Sequence, residues 1–201
     1  KSTESVKAID GISFAVDEGK SFGLVGESGS GKTTVARTIL RLIDPTEGEI
    51  LFENRDITKM PEKSLKRLRR HMQMIFQDPF ASLSPRMTIG QSIAHPLQIQ
   101  TRLAQSEIVD AVEEIMEKVG LSPASFYRRK YPHQISGGQR QRVGIARALI
   151  TRPDFVVADE PIAMADVSVR AMILELMARL KEEFGLTYLF ITHDLATAKY
   201  I

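Results

Sequence analysis

The sequence contains no cysteine among its 201 residues. A chain without cysteine forms neither a disulfide framework nor a thiolate metal site, and this composition fits a reducing compartment. A large excess of one sign of charge is also lacking, because 27 Lys and Arg residues balance 25 Asp and Glu residues, for a formal net charge of +2. The chain therefore has no overall basic field of the kind that attracts nucleic acid.

Long apolar runs are absent too, since no run approaches the ~18 residues that a membrane span requires. If the protein works at a membrane, we expect it to act through a partner. With 43% apolar residues, the chain is large enough for one good core, or for a core with a smaller lobe. We expect a fragment of a longer protein, because the sequence stops immediately after an apparent helix start.

Strand and helix signals alternate along the chain. We predict strands at 12–16, 21–25, 50–52, 72–76, 155–158 and 187–192, and helical patterns at 35–43, 64–70, 84–150 and 173–184. Near-continuous apolar strands between helices predict a parallel sheet covered on both sides, in an α/β fold. Phe14 and Phe22 are interpreted as core residues of their strands. Ile108, Val112 and Ile115 recur at helical spacing and predict one apolar helix face.

The segment "GESGSGKTT" separates the predicted strand 21–25 from a helical pattern. It fits the spacing G-x-x-x-x-G-K-[ST], in which bare backbone N–H groups surround phosphate oxygens at a helix N-terminus. An ordinary Gly/Ser loop is the alternative, but the strand and helix context favours nucleotide binding. Lys32 would reach the β- and γ-phosphates and the Thr33 hydroxyl would hold Mg²⁺. The predicted phosphate-binding residues are Gly26, Glu27, Ser28, Gly29, Ser30, Gly31, Lys32, Thr33 and Thr34.

Two further strands end in polar residues that suit hydrolysis. The run "FVVADE" ends in Asp159 and Glu160, and open α/β sheets place ligands at the carboxyl ends of strands. Asp159 suits Mg²⁺, and Glu160 suits a general base that polarises the attacking water. His193, in "FITHD", could hydrogen-bond a γ-phosphate while steadying Glu160. Solvated acids at a strand end and a structural histidine are the simpler interpretations.

The stretch "ISGGQRQR" predicts a second anion site. Ser136 and Gln139 form the pattern of a capping box, but Gly137 and Gly138 each cost ~0.5–1 kcal/mol in a helix relative to alanine. A bare helix N-terminus offers N–H groups to an anion. One domain has no obvious use for two γ-phosphate sites. The sequence therefore predicts a head-to-tail dimer, in which this helix meets the nucleotide held by the partner's phosphate loop.

In this order the motifs resemble those of the nucleotide-binding domain of ABC transporters. The resemblance rests on Gly26–Thr33 as Walker A, Gln77 as the Q-loop, Ile135–Gln139 as the signature, Phe155–Glu160 as Walker B, Asp166 as the D-loop aspartate and His193 as the H-loop. Isoleucine replaces the usual leucine of the signature. "FQDPFASLSPRMTIGQSIAHPL" and "YPHQISGGQRQR" are similar to the ATPases of dipeptide, oligopeptide and nickel importers.

The resemblance implies a P-loop NTPase fold with a mainly parallel sheet core, an antiparallel N-terminal β part and an inserted helical subdomain. It implies a RecA-like core at 1–83 and 152–201 and a helical subdomain at 84–151. The expected cofactors are ATP and Mg²⁺. Residues implied as catalytic are Glu160, His193 and Gln77; those implied as binding nucleotide across a dimer are Ser136, Gly137, Gly138, Gln139 and Asp166; those implied as metal ligands are Thr33, Gln77 and Asp159.

The same resemblance implies an ATPase that powers the import of peptides or nickel. It implies that this ATPase lies on the cytoplasmic face of a cell membrane. Its implied partners are a second nucleotide-binding subunit, identical or sister, a permease and an extracytoplasmic solute-binding protein, with no nucleic acid. A soluble ABC ATPase in repair or translation is the leading alternative. A P-loop kinase and a nucleotide-gated binding module without turnover are two others, disfavoured by the signature stretch and by Glu160, respectively.

Two departures from the family pattern affect these expectations. The chain reads "DEPIAMAD", with Ala163 where the family usually has a serine, so communication between two ATP sites is expected to weaken while hydrolysis survives. The family's adenine-stacking aromatic has no counterpart before Phe14. Triphosphate and Mg²⁺ are therefore expected to dominate affinity over the base.

Lys32→Ala is expected to abolish ATP binding without unfolding the protein, because the ammonium group serves phosphate charge and does not fill the core. Titration with ATP and Mg²⁺, together with circular dichroism, measures both properties. Tight ATP binding by the folded variant would show that the segment 26–34 is not a phosphate loop.

Overall fold

The computed structural model describes residues 7–163 and 166–200. The strands are β1 (Ser21–Val25), β2 (Leu51–Phe52), β3 (Arg55–Asp56), β4 (Met72–Ile75), β5 (Phe155–Asp159) and β6 (Thr187–Thr192). The helices are α1 (Lys32–Ile39), α2 (Glu62–Leu68), α3 (Pro79–Ser82), α4 (Ile89–Gln100), α5 (Gln105–Lys118), α6 (Ala124–Tyr127), α7 (Gly137–Leu149), α8 (Val167–Phe184) and α9 (Leu195–Tyr200). A 3₁₀ helix covers Pro132–Gln134.

The central sheet is parallel, as the sequence predicts. Its strands lie in the order β1, β6, β5, β4, and Gly23 of β1 and Ala158 of β5 both lie opposite Phe190 of β6. Helices connect the parallel strands, since this pairing requires long crossovers. All four strands therefore end at the same edge, where the segments 26–31 and 76–78 begin.

Both faces of this sheet are buried. Alternate side chains of β5 and β6 point to opposite faces, and each set packs against helices on its own side. Val156, Ala158, Tyr188 and Phe190 belong to a large apolar cluster with helices α4, α5, α7 and α8. Phe155, Val157, Leu189 and Ile191 belong to a second cluster with helices α1 and α2. The predicted two-sided covering of the sheet is confirmed.

The predicted strand at 12–16 is wrong. Among the described residues no strand forms there, although the turn that follows is present, with Lys20 N donating to Asp17 O at 3.1 Å. The antiparallel part consists instead of the short pair β2 and β3. Phe14 stacks on Phe22 with ring centroids 4.9 Å apart, but it is 37% exposed and is not a core residue. Only Phe22 packs against an apolar cluster.

Helices α4 to α7 occupy the stretch between β4 and β5. The apolar face predicted for α5 is buried, including Ile108, Val112 and Ile115. A capping box starts α4, because Thr88 Oγ1 accepts from Gln91 N at 3.2 Å and Thr88 N donates to Gln91 Oε1 at 2.8 Å. None of the helices within the described ranges is long and apolar enough to cross a membrane.

Met116 and Met172 form a matched pair for testing this packing. Met116 on α5 is fully buried, whereas Met172 on α8 is 47% exposed. Met116→Ala is expected to lower the free energy of unfolding by about 2–5 kcal/mol, because it leaves a cavity. Met172→Ala is expected to change it by no more than about 0.5 kcal/mol. Urea unfolding of both variants measures the difference, and equal losses would contradict the burial described here.

Candidate nucleotide site

The loop between β1 and α1 has the backbone shape that requires glycine. Gly29 and Gly31 have φ angles of 82° and 93°, in the left-handed region. A Cβ atom on Gly31 would also lie 2.2 Å from the carbonyl oxygen of Ala8. Gly31 is the N-cap of α1 and has no side chain to satisfy the first N–H groups of the helix. Those donors therefore remain available to an anion.

The Lys32 side chain is buried and folds back over this loop. Its Nζ donates to the carbonyl oxygens of Gly26 at 2.7 Å and Glu27 at 2.6 Å. Ser30 Oγ lies 3.4 Å from the same Nζ. The structure thus holds the ammonium group inside the loop, at the place where the sequence predicts phosphate.

Thr33 and Asp159 meet although they lie on α1 and β5. Thr33 Oγ1 donates to Asp159 Oδ1 at 3.2 Å. Burial raises the pKa of the Asp159 carboxyl, the Thr33 hydrogen bond partly offsets that rise, and the neighbouring Glu160 raises the pKa further. Arg37 and Lys32 act in the opposite direction. Burial thus disfavours the ionised form of Asp159, and a cation bound beside the carboxylate would stabilise that form.

This pair of oxygen groups fits Mg²⁺. The ion characteristically binds to one or two protein oxygen groups and takes its remaining ligands from substrate phosphates and water. Within the described ranges no group of three or more His, Cys, Asp or Glu side chains could hold a metal alone. A magnesium ion here would therefore be held by Thr33 and Asp159 together with phosphate.

Glu160 is the point where three elements converge. Gln77, which follows β4, donates from Nε2 to Glu160 Oε2 at 3.0 Å. His193, which follows β6, places Nδ1 3.3 Å from the same oxygen. Glu160 N donates to Ile191 O at 3.0 Å, and its carboxylate side chain is only 14% exposed. Both contacts are therefore to the same carboxylate oxygen, Oε2.

The predicted signature residues lie at the start of α7. Ser136 Oγ accepts from Gln139 N at 3.3 Å, and Ser136 N donates to Gln139 Oε1 at 2.9 Å, which completes the capping box. Gln139 Nε2 also donates to Tyr127 Oη at 2.9 Å. Within the described part of the chain, none of the hydrogen bonds at this helix start reaches the phosphate loop.

The two glycines of the signature have different surroundings. A Cβ on Gly138 would lie 3.2 Å from Val169 Cγ1, a close contact with α8 that Val169 would have to accommodate. A Cβ on Gly137 would meet no atom within 4 Å. The sequence alone does not distinguish the two, because the packing partner lies about 30 residues further along the chain.

The D-loop is only partly described. Ala163 N donates to Glu160 O at 3.1 Å, and this hydrogen bond closes a turn directly after Glu160. Met164 and Ala165 lie outside the described residues. Asp166 is the exposed N-cap of α8, and its side chain makes no capping hydrogen bond.

Sequence reasoning missed Asp194, which directly follows His193 and caps the start of α9. Asp194 accepts from Ala196 N at 2.9 Å and from Thr197 Oγ1 at 3.0 Å, and Asp194 N donates to Thr192 Oγ1 at 3.0 Å. The Ala196 N–H hydrogen bond lowers the pKa of the Asp194 carboxyl. The signal was available, because Asp before a helical run is a strong N-cap. Arg37, which favours ionised Asp159, has no comparable local signal.

The parallel sheet, the glycine loop before α1 and the carboxylates after β5 define a P-loop NTPase fold. The family described as ABC transporter matches residues 9–163. Because that match covers most of the chain, the protein belongs to the ABC transporter family.

Among curated relatives, the oligopeptide transport ATP-binding protein AppF of Bacillus subtilis is 49% identical over 98% of this chain and 59% of its own length. OppF of the same organism, also described as an oligopeptide transport ATP-binding protein, is 50% identical over 98% of this chain and 65% of its length. A putative peptide import ATP-binding protein of Brucella ovis is 50% identical over 98% of this chain and 62% of its length. The chain thus spans about three fifths of these relatives.

Solved structures agree with the fold. The ATP-binding cassette MJ0796, in a dimeric post-hydrolysis state bound to ADP and Pi, superposes with a TM-score of 0.88 at 31% identity. That match covers 100% of this chain and 86% of the cassette. CbiO1 of Clostridium perfringens, part of the transporter complex CbiONQ, gives a TM-score of 0.84 at 28% identity, covering 96% of this chain and 75% of CbiO1.

Asp159→Asn is expected to raise the melting temperature of the nucleotide-free, Mg²⁺-free protein near neutral pH. Because the folded-state pKa of Asp159 is raised, the wild type binds more protons folded than unfolded, and its stability falls as pH rises through that pKa. The advantage of the variant should therefore shrink as pH approaches the ordinary carboxyl value of 3.8.

Thermal unfolding across this pH range, without nucleotide, measures the effect. Asp110→Asn, at an exposed position on α5, is the matched control and should leave the melting temperature nearly unchanged. A variant less stable than wild type at neutral pH would contradict the electrostatic role given to burial here.

Proposed function

We propose that this chain is the ATP-binding and ATP-hydrolysing part of a subunit that powers a peptide importer. The observation that carries the proposal is the Glu160 carboxylate, held by Gln77 and His193 beside the Thr33–Asp159 pair. A protein that only binds nucleotide has no need of a carboxylate oriented in this way. The relatives named as oligopeptide transport ATP-binding proteins support the transported class.

ATP binds with its phosphates in the loop 26–34. Lys32 Nζ exchanges the carbonyl oxygens of Gly26 and Glu27 for phosphate oxygens, and charge assistance makes those bonds stronger. Thr33 and Asp159 would hold Mg²⁺, and Gln77 is proposed as a further ligand. The ion, when bound, supplies charge stabilisation for the transferring phosphoryl group.

In this proposal, hydrolysis begins with a water molecule beside the Glu160 carboxylate. The carboxylate accepts a proton as the water oxygen attacks the γ-phosphorus, and the bond from that phosphorus to the ADP oxygen breaks. The hydrogen bond from Gln77 fixes the carboxylate. The role proposed for His193 is to donate to the γ-phosphate. The products are ADP and inorganic phosphate.

A second subunit completes the site. Ser136, Gly137, Gly138 and Gln139 meet ATP held by the partner's loop, and Asp166 lies at the shared interface. The open space at Gly137 supports this role, because no atom of the described chain occupies it. The MJ0796 cassette to which this chain is similar is dimeric. The segment 84–151 acts as the helical subdomain, and 1–83 with 152–201 act as the catalytic core.

In this proposal the subunit acts on the cytoplasmic face of a cell membrane, bound to permease subunits. An extracytoplasmic solute-binding protein would deliver the peptide. Movement of the helical subdomain on ATP binding passes to the permease. Peptides are favoured over nickel as the solute because the relatives described above are named for oligopeptide or peptide transport.

Glu160→Gln is expected to keep ATP binding and to lose about 10²- to 10⁴-fold in kcat, because an amide orients water but does not accept its proton. ATP should then hold the variant as a dimer for longer than the wild type. Phosphate release at saturating ATP and Mg²⁺ measures turnover, and size-exclusion chromatography with ATP measures the dimer.

The matched control is Glu182→Gln, at an exposed position on α8, which should hydrolyse ATP like the wild type. Turnover at the wild-type rate in Glu160→Gln would remove the base from the proposed mechanism. A wild-type chain that binds ATP without hydrolysing it would leave a nucleotide-gated binding module as the better description.

A further inference from the structure

Gln77 lies at the start of a short connection between the sheet and helix α3. Strand β4 ends at Ile75 and α3 begins at Pro79. Asp78 caps this helix, because its Oδ1 accepts from Phe80 N at 2.7 Å and Ala81 N at 3.1 Å. A four-residue helix has too few internal hydrogen bonds to be stable alone. Its position, and with it the position of Gln77, depends on what holds α3 from outside.

Two arginines of α7 hold α3. The Arg140 guanidinium carbon lies 3.5 Å from the centroid of the Phe80 ring, in cation–π geometry. Arg147 donates from Nη1 to the carbonyl oxygen of Ser82. The two arginines are seven residues apart, about two helical turns, so they project from one face of α7 and contact both ends of α3.

These arginines are not explained as members of ion pairs. No acidic side chain of the described ranges lies within ion-pair distance of either one. Burial lowers the pKa of both guanidinium groups. Arg140 Nη1 donates to the carbonyl oxygen of Pro132 at 3.1 Å. A planar guanidinium group stacks on a ring and donates hydrogen bonds in fixed directions, which an apolar side chain does not do.

We propose that Arg140 and Arg147 are positioning residues, which clamp α3 to α7 and so hold Gln77 against Glu160. Arg140 directly follows Gln139, the last residue of the signature. A displacement of the start of α7 therefore moves Phe80, then α3, and then the Gln77 amide relative to the Glu160 carboxylate. The catalytic meaning of this clamp rests on the proposed ATPase function, whereas the clamp itself does not.

The test compares Phe80→Leu, which removes the ring, with Phe80→Tyr, which keeps it. The first readout is the side-chain amide NMR resonance of Gln77 in the nucleotide-free protein, assigned with Gln77→Ala. Phe80→Leu and Arg140→Gln should shift this resonance toward its position in Glu160→Gln, and Phe80→Tyr should leave it near the wild-type position. This measurement needs no hydrolysis, so it decides the clamp even if the chain proves inactive.

The second readout is ATP hydrolysis. Phe80→Leu and Arg140→Gln should each lower kcat by about 2- to 5-fold, the range that a cation–π contact implies for a ring that is 57% exposed, with little change in KM. The double variant should lose no more than either single variant, because one contact is removed in both. In a Gln77→Ala background neither substitution should lower kcat further, because the clamp acts through Gln77.

Arg142→Gln is the matched control on the same helix. Arg142 donates from Nη1 to Val119 O at 2.6 Å and so faces α5, away from α3. Any loss that it causes should persist in the Gln77→Ala background and should not move the Gln77 resonance. Thermal unfolding of each variant without nucleotide confirms that it is folded.

Two results would overturn the clamp. One is an unmoved Gln77 resonance in folded Phe80→Leu and Arg140→Gln. The other is a loss of kcat that persists undiminished after Gln77→Ala, since the arginine would then act by another route. Absence of hydrolysis in the wild type would count against the proposed function alone.

Discussion

The parallel pairing of β5 with β6 is the constraint on which the site depends. Glu160 N continues the ladder beyond the last residue of β5 by donating to Ile191 O at 3.0 Å. That bond places the carboxylate beside His193, which is the first residue after β6. If the register of β5 slipped by one residue, the side chain of Asp159 and that of Glu160 would each turn to the other face of the sheet. The contacts with Thr33 and Gln77 would then be lost together.

The elements with local signals were predictable from the sequence. The phosphate loop is specified by glycines at left-handed positions and by its place between a strand and a helix. The capping box at Ser136 and Gln139 is a pattern of two residues only three positions apart. The parallel sheet followed from continuous apolar runs such as Phe155–Ala158, which suit a strand buried on both faces. These features depend on nearest neighbours, so propensity and pattern were sufficient.

Sequence reasoning paired Thr33 with Asp159 and His193 with Glu160, but other features that depend on distant partners were not predictable. The alternating pattern at 12–16 indicates a strand, but a strand forms only where another pairs with it. The bond between Gln77 and Glu160 joins residues 83 positions apart, and the pattern around neither one announces it. Gly138 matches a functional motif and also fits closely against Val169. Which requirement governs such a glycine is visible only once α8 is in place.

The backbone of Glu160 adopts φ = 44°, a left-handed conformation that is uncommon for a residue with a side chain. Such a conformation costs of order 1–3 kcal/mol and persists because the surrounding bonds impose it. Glycine at this position would relieve the strain and remove the carboxylate. Selection for thermal stability alone would therefore favour glycine here, and retention of glutamate in a library selected for stability would show that the carboxylate is required for another reason.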